Sequence, residues 1–304
     1  GDVYKRQAWL TTAQAQPLDR WTLAGPSGRR AWFNYCSWGC DARIAGRFQR
    51  LRDLHGGLLR ARAANLLCYA GLGLHEPGAA LGIDYLVNDN LVIGGHFSSD
   101  TSRTRSGSLD AESYRGAFYA TLFDDDFYFD ALVGIACNSY ETDREALLGR
   151  ALGSTDGVQF DSLLNAGYDL HSENWSYGPF VSIGYSRVNL NGYTETGSLT
   201  PLSFPDQNQD SLRSNLGARI SYTADLNGIK VTPQVRVSWQ HEYLESGQSI
   251  DSRLGGGAVP VFTVTGPNLG RDSALISTGV SVQISPAVSA YADYHSQFGR
   301  TNYS

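Results

Sequence analysis

The sequence predicts an all-β fold, an antiparallel up-and-down transmembrane β-barrel, and three observations predict it. From Ala79 onward the chain alternates apolar and polar residues with a period of two, the spacing of strands that show different faces to different surroundings. The connections between these segments are strictly short, then long, then short again. Several segments also run well past the roughly 5 to 6 residues of an ordinary strand, and fit about 9 to 11 residues of tilted membrane span plus an extension.

Composition agrees. The 304 residues are 41% hydrophobic and 18% charged, with 34 Gly and 17 Tyr. No window approaches the roughly 18 consecutive apolar residues of a membrane-spanning helix, and the low hydrophobicity with high net charge of disordered chains is missing.

Residues 1–78 stand apart. Residues 1–76 carry 11 Lys+Arg against 5 Asp+Glu, whereas the rest carries 13 against 25, and the same stretch holds three of the four cysteines and four of the six tryptophans. The chain has no Met, so it is expected to be a fragment or a processed chain, and 1–7 (GDVYKRQ) resembles translated adapter sequence and is set aside. Residues 41–67 have helical spacing, with Ile44, Phe48, Leu51, Leu54 and Leu58 at steps of three or four and Asp41 as a cap, but Gly56 and Gly57 interrupt them. Linker, pore helix and non-native sequence stay open for 1–78. Arg-rich ends invite a nucleic-acid reading, yet no basic face interleaved with stacking aromatics is present, and no nucleic-acid partner is expected.

In 79–304 ten strands are expected, at 79–87, 91–100, 109–123, 127–143, 157–172, 175–191, 210–226, 230–245, 271–285 and 287–299. Short turns at 88–90, 124–126, 173–174, 227–228 and 285–286 are rich in Asn, Asp and Gly, or carry Pro. Long connections are expected at 101–108, 145–155, 197–209 and 246–271. A membrane barrel sorts its loops by length in this way, whereas a soluble sandwich has no reason to. Within 231–242, Val231, Pro233, Val235, Val237 and Trp239 share one face, while Thr232, Gln234, Arg236, Ser238, Gln240 and Glu242 share the other. Aromatics such as Tyr85, Phe127, Trp175, Tyr177, Tyr222 and Trp239 gather near strand ends, where interfacial girdles belong.

The order of 81–95 (LGIDYLVNDNLVIGG), 109–136 (LDAESYRGAFYATLFDDDFYFDALVGIA), 177–197 (YGPFVSIGYSRVNLNGYTETG), 210–221, 231–242, 262–285 and 288–299 resembles the barrel domain of type V autotransporters. That resemblance implies a twelve-stranded outer-membrane translocator in a Gram-negative bacterium, with a helix in the pore. It further implies export of the protein's own upstream passenger, with the outer-membrane barrel assembly machinery and periplasmic chaperones as partners besides the lipid bilayer. Against that pattern, the first strand between Arg30 and Ala79 is not recognisable, and a closing strand after Ser304 is expected to be missing. Lacking both, the sheet would leave edges unpaired in lipid, where each unsatisfied backbone group costs several kcal/mol.

Strand parity nominates Asp84, Arg115, Asp130, Asp169, Arg213, Arg219, Arg236, Glu242 and Asp293 as pore-facing. A polar lumen is expected to supply a hydrated path lined by Arg115, Arg213, Arg219, Arg236 and Glu242, whose charge is expected to tune its conductance. Asp293 and His295 share a face, and His96 and His241 are expected to point inward as well, but no HxH or HExxH spacing suggests zinc. No GxSxG, glycine-rich phosphate loop, catalytic residue, metal or cofactor is expected. A passive porin is the alternative, and an outer-membrane hydrolase the third class.

Overall fold

The alternating segments build strands almost throughout. The computed structural model describes residues 33–43, 64–71, 78–88, 90–103, 109–146, 149–244, 249–255, 261–265, 271–285 and 288–299. The strands are β1 (Phe33–Arg43), β2 (Ala64–Gly71), β3 (Gly78–Asn88), β4 (Leu91–Arg103), β5 (Leu109–Asp124), β6 (Phe127–Ala146), β7 (Gly149–Tyr168), β8 (Leu170–Ser172), β9 (Trp175–Leu190), β10 (Tyr193–Thr194), β11 (Leu202–Phe204), β12 (Gln207–Tyr222), β13 (Ala224–Leu226), β14 (Ile229–Glu242), β15 (Ser249–Leu254), β16 (Phe262–Thr265), β17 (Asp272–Ser285) and β18 (Val288–Gly299).

The main sheet is an antiparallel meander. Its order is β12, β14, β17, β18, β1, β2, β3, β4, β5, β6, β7, β9, β8, with β9 pairing β12 as well as β7. β1 fills the slot beside β18, across ten residue pairs from Phe33↔Gln297 to Ala42↔Val288, and pairs β2 from Ser37↔Gly71 to Arg43↔Asn65. The ladder is weakest between β2 and β3, where two pairs form among the described residues, Ala64↔Ile83 and Asn65↔Gly82, so the sheet is not sealed at that seam.

Four expectations change. The ten expected strands are found within a few residues of their places, but β1 and β2 join them from the leading segment, whose mixed alternation (Phe33, Tyr35, Ser37 against Asn34, Cys36, Trp38) hides a strand. Of the helix expected at 41–67, Asp41–Arg43 belong to β1 and Ala64–Leu67 to β2, while 44–63 lie outside the described residues, and no described residue is helical. The long connection at 145–155 is instead a continued hairpin, paired up to Ala146↔Gly149. Finally, the connections at 197–209 and 246–271 contain β11, β15 and β16, which with β10 form a separate four-stranded sheet. Gly, Ser and Pro around these two- to six-residue strands mask their periodicity.

The tight turns follow from their residues. Asn227 and Gly228 both have positive φ, at 57° and 87°, the pairing a two-residue hairpin needs to match strand twist, and Gly228 N donates to Asp225 Oδ1 at 2.8 Å. Asp125 and Glu173 take positive φ of 48° and 51° in the turns at 124–126 and 173–174.

Candidate functional site

The two faces of the sheet reverse the burial order of a soluble protein. On one face Phe118 is 75% exposed, Leu216 58% and Ile135 56%, while on the other Gln159 and Asp161 are each 1% exposed and Asp169 3%. Exposed apolar side chains opposed to buried acids make sense when the outer surface meets lipid and the inner surface holds the polar groups. On β6 the outward residues Phe127, Phe129, Ala131, Val133, Ile135 and Cys137 form the apolar band, and Ser139, Glu141, Asp143 and Glu145 continue it as polar. The stretch from Phe127 to Cys137, 11 residues at about 3.3 Å each and tilted about 40°, covers about 28 Å, close to the roughly 25 Å of an outer-membrane band.

Aromatic rings mark both borders. Near the short turns Trp175 packs on Tyr222 with centroids 4.8 Å apart. Toward the long loops lie Tyr114, Tyr185, Trp239 and Tyr243. His241 belongs to this outer group, not to the inner face expected for it. It shares parity with Trp239 and Tyr243, packs edge-on against Tyr243 at 4.7 Å, and its Nδ1 lies 2.8 Å from Asp272 Oδ1.

The inner face is a wall of paired charges carried by neighbouring strands. Arg219 grips Asp169 with two of its three nitrogens, its Nε donating to Oδ1 at 2.8 Å and its Nη2 to Oδ2, while its guanidinium lies 4.4 Å over the Tyr128 ring. Arg236, directly across from Arg219, lies 3.6 Å over Phe180. Nearer the long-loop end, Arg213 Nε donates to Glu242 Oε2 at 2.8 Å, and Glu242 Oε1 accepts from Leu212 N at 3.0 Å. Asp130 Oδ2 accepts from Asn165 Nδ2 at 2.8 Å. Arg115 Nη1 sits 3.4 Å from Asp161 Oδ2. The backbones of Asp84 and Asp293 pair with Gly94 and Gly279, but their side chains lie outside what the structure describes. His295 Nδ1 hydrogen-bonds Ser277 Oγ at 2.7 Å, and the His96 ring lies 6.2 Å from that of Tyr119.

Asp161 was missed by sequence reasoning, though it is a hub: Ser186 Oγ and Gln159 Nε2 donate to its Oδ1 at 2.8 and 2.9 Å. Its parity with Asp169 was the available signal, since both occupy the same face of adjoining strand segments.

Glycines give the inner side chains their room. A Cβ on Gly167 would lie 2.2 Å from Tyr128 Oη, and one on Gly217 2.7 Å from Phe180 Cζ and 2.2 Å from the Val237 carbonyl oxygen. Both rings therefore lie flat against bare backbone on neighbouring strands.

Beyond the apolar band, a clamp ties the long-loop elements together. Glu195 accepts from Arg144 Nε and Nη2 at 3.2 and 2.6 Å and from Leu202 N at 2.9 Å, and Arg144 Nη2 also reaches the Thr200 carbonyl at 3.3 Å. The Glu195 hydrogen bonds raise the Arg144 guanidinium above its ordinary pKa, and burial raises the Tyr193 phenol. This clamp too was invisible in the sequence, because it joins residues 51 positions apart through a turn.

Comparisons with known proteins agree with this geometry. The chain is 29% identical over 202 residues to an uncharacterized protein from the trpE–trpG intergenic region of Pseudomonas putida, covering 61% of this chain and 33% of that protein. It is 26% identical over 233 residues to the esterase EstA of Pseudomonas aeruginosa, covering 68% and 35%. The chain thus spans about a third of the length of these relatives. Among solved structures, the translocator domain of the autotransporter NalP from Neisseria meningitidis shares the fold, with a TM-score of 0.56 at 11% identity, covering 99% of this chain and 98% of that one. A short match to the diacylglycerol kinase accessory domain, over residues 31–80, shows no family. The autotransporter beta-domain model matches residues 69–295, three quarters of the chain, and with an apolar outer band around a polar inner wall it shows that the chain belongs to the autotransporter β-domain family of outer-membrane barrels.

Proposed function

We propose that this barrel carries an upstream polypeptide of its own protein across the outer membrane to the cell surface. The observation that carries this reading is the reversed sheet, apolar toward lipid and charged within, in a chain of the autotransporter family. Its inner wall offers a hydrated, hydrogen-bonding surface to an unfolded chain. The nine residues nominated from parity, Asp84, Arg115, Asp130, Asp169, Arg213, Arg219, Arg236, Glu242 and Asp293, are proposed to border that path. The ion pairs of Arg115 with Asp161, Arg213 with Glu242 and Arg219 with Asp169 compensate charge within the wall, so at those positions a passing segment meets dipoles and not bare ions. Assembly by the barrel insertion machinery with periplasmic chaperones is part of the same proposal.

The porin reading is not favoured, because the family is that of translocators. No catalytic role is assigned to the barrel. Esterase and lipase activities are those of the relatives so named, of which this chain matches about a third. The test is surface protease accessibility of the segment upstream of the barrel, in intact cells making the whole protein. Export predicts that it is cleaved from outside while the barrel band survives; protection of the upstream segment in cells with a folded barrel overturns the reading.

A further inference from the structure

Of the four arginines nominated for the inner wall, three have a carboxylate. Arg115 meets Asp161, Arg213 meets Glu242 and Arg219 meets Asp169. Arg236 makes no ion pair and no hydrogen bond among the described residues, and its guanidinium lies over the Phe180 ring at 3.6 Å. Of the nominated acids whose side chains are described, Asp130 is left over. It stands on β6, with β7, β9 and β12 between it and β14, and its Oδ2 accepts from Asn165 Nδ2 at 2.8 Å. No ion pair joins it to Arg236.

Stacking uses one face of that guanidinium. Its N–H groups lie in the plane of the fork, at the edge, where they match the paired oxygens of a carboxylate or phosphate. Behind it the wall is apolar, since Phe180 belongs to a buried cluster with Val92, Phe123 and Tyr128. On the lipid side Val235 and Val237 flank Arg236 and are exposed, which puts the cation at the depth of the apolar band. A charge set in apolar surroundings without a counter-charge is costly, and its attraction for an anion is correspondingly strong. The register lines up further polar groups beside it. Arg219 lies across from Arg236 on one side and Ser277 on the other, and Ser277 pairs in turn with His295. His295 Nδ1 lies 2.7 Å from Ser277 Oγ, and with the proton on Nδ1 the hydroxyl is left to donate elsewhere.

We propose that this level of the inner wall is an oxyanion site, in which the edge of Arg236 and the Ser277 hydroxyl hold a carboxylate or phosphate group while Arg219 adds attraction from the next strand. The class of ligand follows from the donors. A cation would meet two guanidiniums, and a neutral group would leave Arg236 charged and alone. Two oxygens of one anion can accept from the fork together, which a lone halide cannot do. The oxyanion comes from solution or from a carboxylate elsewhere in the same protein, and the recognition is the same for both. Binding neutralises the wall at the place where its own pairs leave it positive. The inference stands apart from the export reading.

The experiment unfolds the whole protein in lipid vesicles with urea, in inorganic phosphate or in chloride at equal ionic strength, and compares wild type with S277A, R236K and R236M. Phosphate strengthens apolar burial in any protein, so the difference between wild type and R236M is the readout. An affinity of about 5 mM predicts that about 50 mM phosphate multiplies the folded-to-unfolded ratio on the order of tenfold in wild type beyond its effect on R236M, with R236K and S277A in between. In a second arm a carbodiimide is added to R236K without phosphate. It joins the new amine to a carboxylate in contact with it, forming an amide while the carbodiimide takes up the water as a urea, and peptide mass spectrometry locates the bond. Phosphate stabilisation that needs Arg236 supports the site with a free anion as ligand. Equal phosphate responses, with the amine joined to a carboxylate outside the wall, support it with the protein's own carboxylate as ligand. Equal responses with no crosslink, or a crosslink to Asp130, Asp169 or Asp293, overturn the proposal, the crosslink because the wall would then supply its own counter-charge. R236K keeps the positive charge, so both arms read out even where R236M fails to fold.

Discussion

Removing one partner of the Arg219–Asp169 pair should cost far more than removing both. The two side chains are 10% and 4% exposed, joined by two hydrogen bonds, with Arg236 directly across from Arg219 on the next strand. At a separation of about 3 Å and an effective dielectric of about 20, the attraction is about 5 kcal/mol, and breaking a buried pair by deleting one member typically costs about 3–5 kcal/mol because the survivor stays charged and unpaired. D169N leaves two guanidiniums facing each other without their carboxylate, and R219M leaves Asp169 alone. Each is expected to lose about 3–4 kcal/mol, D169N the more, while the double variant D169N/R219M recovers at least about 2 kcal/mol of the summed loss. The assay is urea unfolding of the chain in lipid vesicles, followed by the gel mobility of unheated samples and by the fluorescence of Trp175 and Trp239. Single losses under about 1 kcal/mol, or a double variant equal to the sum of the singles, would show that the pair is solvated and that the inner wall is not a low-dielectric charge network.

Further substitutions separate the surfaces from one another. A Cβ on Gly178 would stand 1.6 Å from the Tyr168 carbonyl oxygen, and backbone cannot move aside as a side chain can, so G178A should lose more than about 3 kcal/mol or fail to fold, whereas G116A, with nothing within 4 Å, should change stability by less than about 0.5 kcal/mol in the same unfolding assay. Phe118 lies at the middle of the outward band on β5, so F118R should cost about 2–4 kcal/mol in lipid, against about 0–1 kcal/mol for E141K beyond the band; equal costs at the two sites would refute the assigned depth. E195A should free Arg144 and the β10–β11 segment, raising the rate of protease nicking between residues 191 and 206 on the order of tenfold while the barrel keeps its unfolding midpoint; unchanged nicking would mean that backbone pairing alone holds the cap.

Periodicity made the barrel legible. Once Val235, Val237 and Trp239 alternate with Gln234, Arg236 and Ser238, the backbone's two-residue repeat leaves them no choice of face, and a turn such as Asn227–Gly228 states its own geometry. Both are local properties, so the ten strands of 79–304 and the parity of Arg219, Arg236, Asp169 and Asp130 could be read from neighbours in sequence. His241 shows the limit of reading residue type ahead of parity: a polar side chain suggested the inside, but its position between Gln240 and Glu242 puts it among the outer aromatics, beside Asp272.

What the sequence by itself determined, then, was the ten wall strands of 79–304, the two chemistries of their faces and the side on which the long loops lie, because each depends on spacing along a few residues. Tertiary structure alone decided who pairs with whom. Arg219 meets Asp169 across 50 residues, Arg144 meets Glu195 across 51, and β1 seats itself beside β18 from the far end of the chain. Those outcomes depend on strand register and on loops returning to the same rim, and no local pattern encodes a distance that only the pairing of strands far apart in sequence creates.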